Sequence, residues 1–145
     1  MTRIVSLCVG TLLTASLSGC GHIPGIFYGL RTAEPSPHDC VKLGDALTAT
    51  LAWHIKSVTS GDAYSYCYVM LDNDGASPPL SVDIGLVKAT GLLTITVREY
   101  RWGSWTAPSN KAEEAADRVV AIAHEQFPNA EITRLPPPQR GPFAP

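Results

Sequence analysis

The chain has 145 residues, a length that fits one domain with little left over. Its 11 Lys and Arg stand against 13 Asp and Glu, so there is no basic excess that would neutralise a nucleic-acid backbone. Hydrophobic residues make up 45% of the chain and charged residues 17%, which excludes a wholly disordered protein. The 4 cysteines are too few for a disulfide-dense miniprotein.

The first twenty residues have the pattern of an export signal. Arg3 gives a short positive start, and an uncharged stretch of apolar or small residues follows over 4–17. This stretch is shorter than the roughly 20 apolar residues that span a bilayer, which argues against a transmembrane anchor. It ends in Leu17-Ser18-Gly19-Cys20, which resembles the lipobox of bacterial lipoproteins at all four motif positions.

The resemblance implies how the N-terminus is processed. Residues 1–19 would be a signal peptide that is cleaved after Gly19, and Cys20 would become the acylated first residue. Several acyl chains on one residue anchor a protein more firmly than a single chain does. Gly21 follows Cys20 where the best-known inner-membrane retention signal has Asp, which favours the outer membrane. We therefore expect a lipid-anchored protein that contacts the membrane and faces the periplasm.

Two cysteines remain once Cys8 and Cys20 are assigned to the signal peptide and the lipid. These are Cys40 and Cys67. In an oxidising envelope, this count predicts one disulfide, and the alternative is two buried thiols.

Composition divides the rest of the chain into three parts. Gly and Pro residues predict an acylated N-terminus and tether over 20–36, about 50 Å long if some 15 residues are extended. Its apolar interruption, Ile26-Phe27-Tyr28, is expected either to dock on the domain or to lie at the lipid headgroups. One folded domain is predicted over 37–135. The prolines of 136–145 predict a disordered tail.

The folded part is expected to begin with a long helix. Ser36 suits the N-cap, and Asp39 stands three residues later. Apolar residues then recur at spacings of three and four, which predicts one buried helix face that continues to a stop at Ser60-Gly61. These residues are Cys40, Leu43, Leu47, Leu51, Ile55 and Val58.

Three alternating runs, over 64–71, 80–86 and 93–98, predict an antiparallel meander. A second helix is expected after Pro108-Ser109-Asn110, with Glu113 completing a capping box with Asn110. Its apolar stripe is Ala112, Ala115, Ala116, Val119, Ile122, Ala123 and Phe127. A short fourth strand over 130–135 completes a two-layer α+β domain, two helices on a three- to four-stranded antiparallel sheet in the order α-β-β-β-α-β.

The sequence contains no recognisable catalytic or metal-binding motif. The four histidines, His22, His38, His54 and His124, lack the spacing of metal ligands. Residues 72–75 predict a hairpin turn rather than a calcium loop, because no acidic residue follows until Asp83. We therefore expect no metal, no cofactor and no enzymatic activity.

Aromatic residues form the candidate binding face. Tyr, Trp and Arg are enriched in the residues that dominate binding energy at protein interfaces. If Cys67 points toward the helices, alternation sends its tyrosine neighbours to the opposite side of the sheet. The candidate residues are Tyr64, Tyr66, Tyr68, Arg98, Tyr100, Trp102 and Trp105. The alternative is that these aromatics are packing residues covered by the tether.

The sequence favours a non-enzymatic module that binds or assembles an unidentified envelope protein. One alternative is an immunity-type inhibitor that neutralises a toxin in the periplasm. Another, from a different class, is an enzyme or a carrier of small hydrophobic ligands, which would need convergent polar groups in a pocket or an apolar cavity.

Overall fold

The computed structural model describes residues 25–34, 36–61, 66–73, 79–87, 91–100 and 107–137. Within them the protein has an α+β fold, as the sequence predicts, with two helices packed on an antiparallel sheet. The elements are β1 Gly25–Arg31, α1 Pro37–Leu51, β2 His54–Gly61, β3 Tyr66–Asn73, β4 Leu80–Val87, β5 Leu92–Glu99, α2 Asn110–Gln126 and β6 Glu131–Leu135.

The six described strands form one sheet in the order β2-β3-β4-β5-β1-β6. Every neighbouring pair is antiparallel. The meander β2 to β5 follows chain order, and β1 then lies between β5 and β6. The first and last strands of the described chain therefore pair with each other.

Both helices pack on the same face of the sheet. That face is built from alternate residues of β1, β4 and β5, which bury Ile26, Tyr28, Leu30, Leu80, Val82, Ile84, Leu86, Leu93, Ile95 and Val97. Helix α1 adds Cys40, Leu43 and Leu47 to this core. All seven residues of the stripe predicted for α2 are buried in it as well.

The prediction of a tether over 20–36 is wrong for Gly25–Arg31, which is strand β1, so the folded domain begins before residue 37. Ile26, Tyr28 and Leu30 alternate and face the core, and this period of two outweighs the two glycines of the strand. Of the two expectations for Ile26-Phe27-Tyr28, docking on the domain is therefore the correct one.

The prediction of one helix up to Ser60 is also wrong. Helix α1 ends at Leu51, and Ala52 adopts the left-handed conformation at φ 54°, which stops it. Residues His54–Gly61 then form β2, which pairs with β3. Ile55, Val58 and Thr59 are β-branched and favour a strand, although two of them continue the helical spacing.

The predicted order α-β-β-β-α-β thus lacks β1 and β2, and the observed order is β-α-β-β-β-β-α-β. The predicted short last strand is present as β6, one residue later than expected at its start. Ser36 is the N-cap of α1, as predicted, and it forms a capping box with Asp39: Ser36 N–H donates to Asp39 Oδ2 at 2.9 Å, and His38 N–H donates to Ser36 Oγ.

A buried carboxylate joins the end of β5 to the start of α2. Ser109, rather than the predicted Asn110, is the N-cap, and its Oγ accepts from the backbone N–H of Ala112. The same hydroxyl donates to Glu99 Oε1 at 2.6 Å, and the Ser109 backbone N–H donates to Glu99 Oε2 at 3.0 Å. Glu99 is fully buried, and its carboxyl group lies at the N-terminal, positive end of the α2 dipole.

Candidate functional site

The sheet face opposite the helices is the candidate site, and we call it the open face. In the described part of the chain, both helices lie on the other side of the sheet. The open face therefore carries the alternate residues that β1, β4, β5 and β6 do not give to the core. Its described side chains include Phe27, Ser81, Asp83, Leu92, Thr94, Thr96, Arg98, Tyr100 and Leu135.

An ion pair lies at the centre of the polar part of this face. Arg98 Nη1 is 2.8 Å from Asp83 Oδ2. The two side chains differ in burial, since 38% of Arg98 is exposed against 5% of Asp83. Neither Asp83 oxygen accepts a well-aligned hydrogen bond from the described residues, so Arg98 is the group that offsets its desolvation. The outer part of the guanidinium remains available to another molecule.

Tyr100 covers the neighbouring position of β4. Ser81 Oγ donates to the Tyr100 hydroxyl at 3.3 Å, and the Tyr100 backbone N–H donates to Pro79 O at 2.9 Å. Ser81 is 1% exposed, whereas Tyr100 is 37% exposed. Arg98 and Tyr100 therefore lie side by side above two buried polar residues and present their own surfaces outward.

The other half of the open face is apolar or neutral. Thr94 Oγ1 donates to the backbone oxygen of Gly85 at 3.0 Å, which satisfies its hydroxyl within the sheet. The side chains of Leu92 and Leu135 approach Gly29, where an added Cβ would lie 3.2 Å from Leu92 Cδ1. Phe27 pairs with Thr96 on β5 and Leu135 on β6. The face thus combines a polar patch with a small apolar one.

The structure describes only some of the residues that were predicted for the binding face. Tyr64, Trp102 and Trp105 lie outside the described residues. Tyr66 and Tyr68 lie within β3. In the backbone register, Tyr68 pairs with Gly85 of β4, and Gly85 pairs in turn with Thr94 of β5. Arg98 and Tyr100 are on the open face, as described above. Whether these residues form a binding surface remains a prediction.

Sequence reasoning missed Ser81, Asp83 and Phe27 as members of this face. For the two β4 residues the signal is present, because they alternate with the buried Leu80, Val82 and Ile84. The contribution of Phe27 was hidden by the interpretation of β1 as a tether. The burial of Asp83 depends on contacts across strands, which alternation along one strand does not reveal.

The core-side cysteine can be placed, but the predicted disulfide stays a prediction. Cys40 is buried, and its Sγ donates to the backbone oxygen of Ile84 at 3.4 Å. Ile84 pairs with Val69 of β3, and Cys67 is two residues from Val69 on that strand. The side chain of Cys67 lies outside what the structure describes.

A second charged cluster lies where α2 meets β6. Both Nη atoms of Arg134 donate to the carboxylate of Glu113, at 2.7 and 3.0 Å, and this hydrogen bonding raises the pKa of Arg134. Burial raises the pKa of the Tyr28 phenol from 10.0, and the charge of Arg134 opposes that effect. The ion pair is exposed, so it links β6 to α2 but contributes little to stability.

Metal ligands do not cluster in the part of the chain that the structure describes. His38, His54 and His124 are exposed there, whereas His22 and Cys20, the predicted lipidation site, lie outside it. Likewise, none of the described helices is long and apolar enough to cross a bilayer.

Comparison with protein-family models gives no match to the chain, and comparison with curated proteins gives no similar sequence.

Proposed function

We propose that the chain is a lipid-anchored envelope protein, held at the outer membrane through Cys20, that binds another envelope protein through the open face. The observation that carries the proposal is the pair formed by Arg98 and Asp83. A buried carboxylate fixes the guanidinium on the sheet face opposite the two described helices, while over a third of the arginine side chain stays exposed.

A guanidinium that is already oriented loses less freedom when a partner binds it. Its planar donors suit a carboxylate or a backbone carbonyl, and Tyr100 next to it offers a rigid ring with a polar tip. Arg and Tyr are both enriched at binding hot spots. The apolar patch of Phe27, Leu92 and Leu135 supports the proposal by adding surface that a partner would remove from water.

The anchor is tested by labelling cells with radioactive palmitate. The wild-type chain should take up the label, and Cys20→Ser should take up none and leave the membrane fraction. Wild-type protein that incorporates no fatty acid would contradict the lipoprotein part of the proposal.

The binding face is tested by Arg98→Lys, which keeps the charge beside Asp83 but removes the planar set of donors. Arg118→Lys is the matched control, because Arg118 is exposed on α2, on the other side of the sheet. After crosslinking in intact membranes, recovery of the partner should fall for Arg98→Lys and stay unchanged for Arg118→Lys. Equal recovery for both variants would count against the open face.

A further inference from the structure

The start of β1 fixes which end of the domain faces the membrane. Resting on the proposed acylation of Cys20, we infer that the end of the sheet where Gly25 and Tyr100 lie rests on the headgroups of the bilayer that holds the acyl chains. Gly25 is the first residue of β1 and stands only five positions after Cys20. Such a length of chain cannot reach farther than about 18 Å.

The register places several elements at this end, which we call the anchor end. Gly25 pairs with Arg98, and Arg98 pairs with Ser81 on the next strand. Tyr100 follows β5 at the same end, where its backbone N–H bonds to Pro79 just before β4. Ser109, bonded to Glu99, brings the start of α2 to this end as well.

The opposite end of the sheet lies farther from the anchor. Strand β1 ends at Arg31, which pairs with Glu131 at the start of β6. The seven residues of β1 advance about 20 Å along the strand. Asn129, which precedes β6 by two residues, therefore lies at the end of the sheet that is held farther from the acyl chains.

The described side chains of the anchor end suit a headgroup layer. Tyr100 is exposed and carries a ring with a polar tip, the kind of side chain that is enriched at membrane–water interfaces. The acyl chains supply the attraction, so this end need not be strongly apolar or basic.

This orientation restricts where the proposed partner protein can bind. The open face runs from the anchor end outward, with Arg98 and Tyr100 at its membrane side. A protein that contacts both residues must therefore approach them next to the bilayer.

Photocrosslinking to lipid tests the inference on the full, acylated protein. The photoreactive amino acid p-benzoylphenylalanine replaces Tyr100 in one variant, the exposed Ala107 in a second, and the exposed Asn129 in a third. Each variant is placed in vesicles of phosphatidylethanolamine and phosphatidylglycerol and irradiated. We expect lipid adducts at Tyr100 and Ala107 in severalfold excess over Asn129. Equal yields at the two ends, or adducts at Asn129 alone, would overturn the inference.

A spacer variant provides the matched control. Inserting about 15 Gly and Ser residues between Pro24 and Gly25 adds roughly 20 Å of flexible reach. The insertion should abolish the excess at Tyr100 while palmitate labelling is unchanged. If the excess persists with the spacer, the short connection is not its cause and the inference is wrong. If the protein carries no fatty acid and leaves the vesicles, the anchor itself is wrong and the inference fails with it.

Discussion

The pair formed by Arg98 and Asp83 should respond unequally to the loss of each partner. Arg98→Ala leaves the carboxylate of Asp83, which is only 5% exposed, without its counter-charge. Breaking a buried pair in this way costs about 3 kcal/mol. Asp83→Ala instead leaves a guanidinium that is already 38% exposed and that water can solvate, so the cost should stay below about 1 kcal/mol.

Urea unfolding of the two single variants and of the double variant measures this difference. In the Asp83→Ala background, Arg98→Ala leaves no buried carboxylate without a counter-charge. The double variant should therefore be about as stable as Asp83→Ala alone. The expected coupling is therefore about as large as the Arg98→Ala penalty itself. Two single variants of equal stability, or a double variant that loses the sum of the two costs, would refute the reasoning.

Three further predictions concern the framework that positions the open face. Ser109→Ala removes both an N-cap and a hydrogen bond to the buried Glu99, so urea unfolding should show a loss of about 2–4 kcal/mol. The control variant Ser36→Ala removes an N-cap that makes no bond to Glu99, so it should cost only about 1 kcal/mol, and equal losses would contradict the role of Glu99. Ala52→Gly should raise the free energy of unfolding by roughly 1 kcal/mol, because Ala52 has a φ of 54°; a loss of stability would oppose this. The raised pKa of Tyr28 favours the neutral phenol in the folded state, so its contribution is complete below pH 10.0 and is lost as the pH rises further. Unfolding followed from neutral pH to above pH 10 should therefore show a smaller decline for Tyr28→Phe than for wild type, and equal declines would contradict the shift.

Strong periodicity made much of the fold predictable from the sequence. Helix α2 and strands β4 and β5 have long, uninterrupted patterns and stand between turn residues, and all three were predicted near their observed bounds. Strand β2 was missed because Leu51, Ile55 and Val58 continue the helical spacing of α1 by coincidence. Helix α1 instead ends just before Ala52, which adopts a left-handed conformation that the spacing of apolar residues does not encode.

The sequence predicted which residues of one strand share a face, but it did not predict which residues of neighbouring strands are in contact. Alternation along β5 places the buried Val97 and Glu99 on one face of the strand. Arg98 therefore lies on the other face, which is the open face. The burial of Asp83 and its contact with Arg98 arise from the register between β4 and β5, which depends on the whole sheet. Strand β1 was missed because its two glycines and the nearby prolines suggested a tether. Its pairing partners β5 and β6 lie far away in the sequence.

The central claim, that the open face binds a protein, is tested most directly by photocrosslinking in intact cells. The photoreactive amino acid is placed at Thr96, on the open face, or at Arg118, which is exposed on the helix side. We predict one discrete protein adduct at Thr96 that is absent at Arg118 and is weakened by Arg98→Lys. No adduct at Thr96, or the same adducts at both positions, would contradict the claim.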